Sequence, residues 1–185
     1  MSAKDAAEAI EAKFVEYRDT ESDIRGHIQR LAELGGLCAH ITEFGVGRST
    51  WAFLHARPKV LRCYDILSRD GADATGRGTD LAREERLAEE VGIDFRFTPG
   101  DTLTLTIEPT DLLFIDTHHV YEQLRAELER HGDKASKYIV MHDTTICAAG
   151  LWPAIEEFLA ARPRTWRLLE RWEHDNGLTV LRRVA

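Results

Sequence analysis

The chain has few cysteines, and their spacing excludes a cysteine-based framework. Only three are present, Cys38, Cys63 and Cys147, and no C-x-x-C pair occurs. Disulfide scaffolds and cysteine-based zinc sites need denser or closely paired cysteines. We therefore expect reduced thiols and a cytoplasmic protein.

Long apolar runs and an excess of positive charge are absent as well. No apolar stretch approaches the roughly 18 residues of a membrane span. The N-terminal segment "MSAKDAAEAIEAKF" carries charges throughout, so we expect no secretory leader. The 32 acidic and 24 basic residues give a net charge of -8, which disfavours nucleic acid or an anionic membrane as the main partner.

Repeats, low-complexity tracts and proline- or serine-rich linkers are also missing. The length of 185 residues suits one domain with a sizeable core. We predict a single domain over 1–185, in which helices over 1–36 precede an α/β core over 37–185.

What the sequence does contain is a regular alternation of strand and helix patterns. Apolar spacing predicts N-terminal helices over 3–18 and 24–36. The predicted core strands are 38–44, 60–66, 93–98, 111–116 and 137–143, and the core helices are 49–56, 79–92, 121–132 and 152–163. "NG" at 176–177 joins the runs 165–173 and 178–183 as a hairpin. This order predicts an α/β fold whose mainly parallel sheet has helices on both faces and an antiparallel pair at one edge.

A glycine-rich turn, "EFGVGRST", follows the first core strand. Gly45 and Gly47 allow the backbone to approach a ligand closely, and the next helix directs its amides towards it. Asp65 ends the second strand, where an acid can accept hydrogen bonds from two ribose hydroxyls. The pattern fits an NAD-type dinucleotide or S-adenosylmethionine.

Two positions in this turn favour S-adenosylmethionine. Thr50 stands where the dinucleotide fingerprint has Gly or Ala. Glu43 suits the cationic end of S-adenosylmethionine better than a pyrophosphate. After the third strand, "TPGDTL" places Asp101 and Thr102 where a carboxylate can accept a hydrogen bond from an adenine amino group, although a plain turn explains this segment equally well.

Two later strands end in acids and histidines. "FIDTHH" ends in Asp116, His118 and His119, and "IVMHDTT" contains His142 and Asp143. A single helix between the strands makes them parallel neighbours, so both groups project from one edge of the sheet. Oxygen ligands there suit Mg²⁺, and a mixed oxygen and imidazole set also accepts Mn²⁺ or Fe²⁺. Helix capping is the alternative for any one of the five.

Five segments together resemble class I S-adenosylmethionine-dependent methyltransferases. The nearest subgroup is the small-molecule O-methyltransferases grouped with macrocin O-methyltransferase and cephalosporin hydroxylase-like proteins. The segments are "EFGVGRSTWAFL", "YDI", "GDT", "FIDTHHVYEQLRAELERHG" and "KYIVMHDTT". The resemblance implies a Rossmann-like three-layer sandwich with a seven-stranded, mostly parallel sheet and an antiparallel terminal hairpin, to which the two N-terminal helices are additional.

The resemblance also implies site residues. The implied cofactor contacts are Glu43, Gly45, Gly47, Ser49, Asp65, Asp101, Thr102 and Asp116, and the implied metal ligands are Asp116, His142 and Asp143. Two departures from the family pattern concern the metal. The phrase I-D-G-D-H-x-Y has Thr117 and His118 in place of Gly-Asp, and His142 stands where some metal-dependent members have Glu.

The expected function is S-adenosylmethionine-dependent methylation of a hydroxyl on a small polar or glycan-type acceptor, with Mg²⁺ or another divalent cation as an aid. The acceptor oxygen must lose its proton, and histidine titrates near neutral pH. His119, at the histidine position of the family phrase, is the candidate base.

Two other classes remain open. One is an NAD(P)-dependent oxidoreductase, for which a Tyr-x-x-x-Lys pair is missing because Arg125 follows Tyr121. The other is a non-catalytic binding module. The short chain offers little cover for a pocket, so a second copy is an expected partner. The sequence assigns no role to His27, His40, His55, His131 or His174.

Overall fold

Strands and helices alternate in the computed structural model, which describes residues 1–66 and 81–184. The strands are β1 (His40–Phe44), β2 (Val60–Asp65), β3 (Asp94–Pro99), β4 (Thr110–Ile115), β5 (Ala135–His142), β6 (Trp166–Trp172) and β7 (Leu178–Arg183). The helices are α1 (Ala3–Asp19), α2 (Arg25–Gly35), α3 (Arg48–Ala56), α4 (Leu81–Glu90), α5 (Tyr121–His131) and α6 (Ala148–Ala161).

The seven strands form one sheet in the order β3-β2-β1-β4-β5-β7-β6. The first five are parallel to their neighbours, whereas β7 runs antiparallel to both β5 and β6. The predicted α/β fold, its parallel core and its terminal hairpin are confirmed, as are the two N-terminal helices.

The sheet separates two hydrophobic clusters because successive side chains of a strand point to opposite faces. In β4, Leu112 and Phe114 belong to the cluster that also contains α1 to α4. Leu113 and Ile115 belong to the cluster under α5 and α6. All four side chains are buried, which explains why the strand reads as a continuous apolar run. The result is the predicted three-layer arrangement.

The last helix differs from its prediction at the N-terminus. It begins at Ala148 rather than at residue 152 and contains Pro153 in its second turn. A proline has no amide hydrogen, so one bond of the helix is missing there. The predicted start at residue 152, which puts Pro153 in the first helical turn, is therefore wrong by four residues. The predicted start of α4 at residue 79 lies outside the described residues.

The parallel strands bring their carboxyl ends to one edge of the sheet. The polar groups predicted from the sequence follow β1, β2, β3, β4 and β5 at this edge. No helix among the described residues is long and apolar enough to cross a membrane.

Candidate functional site

Close contact with the end of β4 fixes the glycine turn after β1. Gly45 has a φ of +81°, and a Cβ there would lie 1.9 Å from the carbonyl oxygen of Asp116. Its amide donates to the Tyr64 carbonyl at 2.9 Å, and the amide of Asp116 donates to the Phe44 carbonyl at 2.9 Å. Only glycine satisfies both the backbone conformation and the contact.

The second glycine of the turn borders open space. Gly47 has an extended φ of 179°, which any residue adopts, and a Cβ there would meet nothing within 4 Å. Neither conformation nor packing within the described chain therefore requires glycine at this position. Its bare backbone at the start of α3 fits the close approach of a ligand.

A fully buried acid lies beneath this turn. Glu43 accepts hydrogen bonds from Ser49 Oγ at 2.6 Å, Thr50 Oγ1 at 2.8 Å and Cys63 Sγ at 3.1 Å. Burial raises the pKa of Glu43 to about 7, although these three hydrogen bonds oppose the rise. Glu43 thereby joins β1 to the first turn of α3. The cofactor contacts of Glu43 and Ser49 stay predictions.

Asp65 and Asp101 stand at the ends of β2 and β3. Asp65 Oδ2 accepts a hydrogen bond from the amide of Val46 at 3.0 Å, so it braces the glycine turn from the next strand. Asp101 is exposed and accepts the amide of Leu103 at 2.8 Å, which holds its own turn. Both acids thus lie at the predicted edge of the sheet.

Thr102 belongs to a polar network that was not predicted from the sequence. Its hydroxyl donates to Glu127 Oε1 at 2.5 Å, and Thr117 and Gln123 also bond to this buried carboxylate. Desolvation raises the pKa of Glu127 against the lowering effect of these bonds. The network fastens the loops after β3 and β4 to α5. The only local signal was the spacing of Gln123 and Glu127 by one helical turn.

The predicted cluster at the ends of β4 and β5 is assembled in space. His119 Nε2 lies 3.1 Å from Asp116 Oδ1 and 2.9 Å from Asp143 Oδ2. His142 Nδ1 lies 3.5 Å from a carboxylate oxygen of each acid. His118 is exposed. The structure therefore separates the two histidines, with His119 inside the cluster.

Opposite charges stabilise one another in this cluster. Hydrogen bonds to Asp116 and Asp143 raise the pKa of His119 to about 10. Burial alone would lower the pKa of His142, but the same two acids raise it to about 10. The histidines in turn hold the pKa of Asp116 and Asp143 below the ordinary value, against the effect of burial. Both histidines are thus protonated at neutral pH in this arrangement.

The same residues fit a divalent cation when His142 is neutral, because only an unprotonated imidazole nitrogen can ligate a metal. One ligand atom each from Asp116, His142 and Asp143 lies within 4.8 Å of the others. Asp143 Oδ1 is buried and makes no hydrogen bond of normal geometry among the described residues, and His142 Nδ1 lies 3.5 Å from it. Protonated His119 contacts both acids, which makes its imidazolium and a cation competitors for the same two carboxylates.

The far side of His142 faces a second group of histidines. His142 Nε2 lies 3.2 Å from the Asp23 carbonyl and 3.3 Å from the Asp175 carbonyl. The ring of His27 packs edge-on against it, with ring centroids 5.4 Å apart. Burial lowers the pKa of His27 to about 4, followed by the charge of His142 as the next cause.

Solved methyltransferases share this fold at low sequence identity. A methyltransferase from Geobacter sulfurreducens has a TM-score of 0.61 at 17% identity, covering 97% of this chain and 88% of that chain. A protein assigned as an O-methyltransferase from Klebsiella pneumoniae has a TM-score of 0.59 at 18% identity, and the match covers 97% of this chain and 90% of that chain. An SAH-bound methyltransferase from Podospora anserina has a TM-score of 0.56 at 15% identity, and the match covers 99% of this chain and 88% of that chain. No protein-family model and no curated protein matches the chain.

These likenesses establish the architecture. The chain has the Rossmann-like fold of class I methyltransferases, as its sequence motifs predicted. The narrower resemblance to the macrocin O-methyltransferase subgroup stays a prediction.

Proposed function

We propose that the protein is an S-adenosylmethionine-dependent methyltransferase that methylates a hydroxyl of a small polar or glycan-type acceptor. The observation that carries this proposal is the meeting of three features at one edge of the sheet. They are the open backbone at Gly47, the acid Asp65 beside the turn, and the cluster around His119. The fold of the SAH-bound neighbour supports the same assignment.

The cofactor supplies an electrophilic methyl group on its sulfonium. In the proposed arrangement the glycine turn receives its methionine portion, Asp65 accepts hydrogen bonds from the ribose hydroxyls, and Asp101 lies near the adenine. Asp116 places a negative charge on the sulfonium side of the crevice. Positioning of donor and acceptor then accounts for much of the rate enhancement.

His119 is the proposed general base for the acceptor hydroxyl. Its side chain is 34% exposed, whereas the acids beside it are more buried, so it is the member of the cluster that an acceptor reaches. A base must be neutral, and His119 is held protonated between two acids. We propose that its neutral form arises when another positive charge is present near these carboxylates.

A divalent cation such as Mg²⁺ is a proposed aid. Asp116, His142 and Asp143 would hold it, since their ligand atoms are already grouped. Bound there, it would lower the pKa of the acceptor hydroxyl. These two acids also keep the cluster suitable for any positive group that the reaction brings in.

Calorimetry separates the proposal from its rivals. We expect the purified protein to bind S-adenosylhomocysteine and not NADH. Preference for NADH would instead support an oxidoreductase. Formation of S-adenosylhomocysteine is then measured with a panel of catechols and sugars, with and without Mg²⁺. Tight binding of S-adenosylhomocysteine without turnover on any hydroxyl would identify a binding module.

Two further features complete the proposal. The free thiols of Cys38, Cys63 and Cys147 support a cytoplasmic location. A second copy of the chain is the proposed cover for the acceptor pocket, which size-exclusion chromatography with light scattering would detect as a dimer.

A further inference from the structure

A second group of metal-type side chains lies outside the cofactor crevice. His27 is in the first turn of α2, and His174 and Asp175 form the turn between β6 and β7. One ligand atom from each of the three lies within 4.8 Å of the others. The helix and the turn come from opposite ends of the chain, so only folding brings these residues together.

His27 is the unusual member of this group. Its side chain is fully buried, and neither ring nitrogen makes a hydrogen bond of normal geometry within residues 1–66 and 81–184, although the nearby backbone of His174 opposes the lowering of its pKa by burial. A buried polar group without a partner is costly. Since one of its ring nitrogens lies within 4.8 Å of ligand atoms of His174 and Asp175, a bound cation would give that nitrogen a partner.

The backbone of α2 at Gly26 lies very close to the turn that contains His174 and Asp175. A Cβ on Gly26 would lie 2.1 Å from Asp175 Oδ2 and 2.8 Å from the His174 ring. The amide of Gly26 donates to Asp175 Oδ2 at 3.0 Å, which orients that carboxylate. Glycine at this position therefore allows the turn to rest directly on the start of α2.

We propose that His27, His174 and Asp175 form a binding site for a divalent transition metal of the zinc type. Two imidazoles and one carboxylate are a ligand set that suits zinc, whereas Mg²⁺ and Ca²⁺ prefer oxygen ligands. Three protein ligands leave one coordination position for water or another small ligand.

The spacing of the side chains is close to what zinc requires. Ligand atoms in a tetrahedral site lie about 3.4 Å apart, given bonds of about 2.0–2.2 Å. His174 Nδ1 and Asp175 Oδ2 are already 2.9 Å apart, and the whole set lies within 4.8 Å. His174 has a 55% exposed side chain and is therefore free to adjust and to provide the entry path.

The proposed site lies behind the catalytic cluster of Asp116, His119, His142 and Asp143 and shares no ligand with it, although the His27 ring packs against His142. The carbonyl of Asp175 lies 3.3 Å from His142 Nε2, and the next residue, Asn176, accepts the amide of Thr145 at 2.8 Å. A metal here would fasten α2 to the turn that supports the loop after β5. Its expected signature is thermal stabilisation by Zn²⁺ in the absence of cofactor or acceptor.

The test uses metal-free full-length protein titrated with Zn²⁺ by calorimetry, and with Co²⁺ by visible absorption. The key variants are His174→Ala, at an exposed position, and Asp175→Asn, which keeps an oxygen for the Gly26 amide. His118→Ala controls for loss of an exposed histidine, and Asp116→Asn weakens the other acidic cluster. Unfolding in EDTA verifies that each variant is folded.

We expect the unaltered protein and both controls to bind one equivalent of Zn²⁺ at this site, with tetrahedral Co²⁺ absorption, and any second equivalent that Asp116→Asn removes belongs to the other group of ligands. His174→Ala and Asp175→Asn should weaken binding at least about tenfold, since each loses one ligand or its charge. Unchanged binding in His174→Ala, or no Zn²⁺ binding by the unaltered protein, would overturn the proposal. Loss of binding in Asp116→Asn alone would move the metal to the catalytic cluster and overturn it equally.

Discussion

Replacing Glu43 by glutamine tests the energetic consequence of an acid buried beneath the glycine turn. Glu43 is fully buried, and its oxygens face the hydroxyls of Ser49 and Thr50 and the thiol of Cys63. Glutamine has nearly the same shape and no charge. Because hydroxyls both donate and accept, Ser49 or Thr50 can rotate to accept from the new amide group.

The size of the expected stability change follows from the pKa of Glu43. The pKa rises from its usual 4.5 to about 7 on folding, so the folded state binds more protons between these values. Stability conferred by the neutral acid is therefore present below about pH 4.5 and is lost as the pH rises to 7. The gap corresponds to a loss of about 3 kcal/mol. Above pH 7 the buried carboxylate carries this full cost.

The assay is urea unfolding at about pH 5 and about pH 8.5, within the range where linkage predicts a change. Glu43→Gln should be more stable than the unaltered protein at the higher pH by about 1–3 kcal/mol, after a loss of about 0.5–1.5 kcal/mol from imperfect hydrogen bonds. At the lower pH the advantage should vanish or reverse. Glu89→Gln, on the exposed surface of α4, is the matched control for loss of a charge.

The comparison between variants removes the contributions of all other ionisable groups, because both proteins share them. If Glu43→Gln and the unaltered protein lose stability in parallel from the lower to the higher pH, Glu43 does not ionise as argued. An equal destabilisation of Glu43→Gln at both values would show that its hydrogen bonds outweigh its charge.

The remaining predictions concern the crevice. His119→Ala should lower turnover by about 10²–10⁴-fold and keep the affinity for S-adenosylhomocysteine. The control His118→Ala, at an exposed position, should retain turnover. Full turnover in His119→Ala would show that His119 is not the base. Gly45→Ala should destabilise the protein by about 1–3 kcal/mol more than Gly92→Ala, because Gly92 has a similar φ of +80° but open space around it; equal losses in urea unfolding would refute the close contact. Asp65→Ala should weaken S-adenosylhomocysteine binding by about 10–100-fold through lost charge-assisted hydrogen bonds, and unchanged calorimetric affinity would contradict the ribose assignment.

The sheet was predictable because its signals are local. Each parallel strand is a short apolar or alternating run followed by turn residues, and the helices between them show the spacing of one apolar stripe. "NG" at 176–177 correctly marked the terminal hairpin. Pro153 was misleading, because a proline typical of a first helical turn lies one turn further inside α6. The single-domain assignment stays a prediction.

The candidate site was predictable only in part. Strand ends can be read from the sequence, and parallel pairing then places Asp116 and Asp143 side by side. The sequence did not reveal that His119 inserts between them. Nor did it show that Glu43 faces the interior, since direction depends on packing against α3 and β2.

The sequence by itself determined where the chain turns and which residues can do chemistry there. Those properties follow from side-chain period, glycine and the order of strands and helices. The tertiary structure decided which acids and histidines form ion pairs and which buried polar groups lack a hydrogen bond. His27 and Asp175 are remote in sequence. They meet only after β7 pairs with β5 and the start of α2 contacts the turn before β7. Proximity of this kind depends on the whole fold, because pKa and ligation respond to distance and burial, which a linear pattern does not contain.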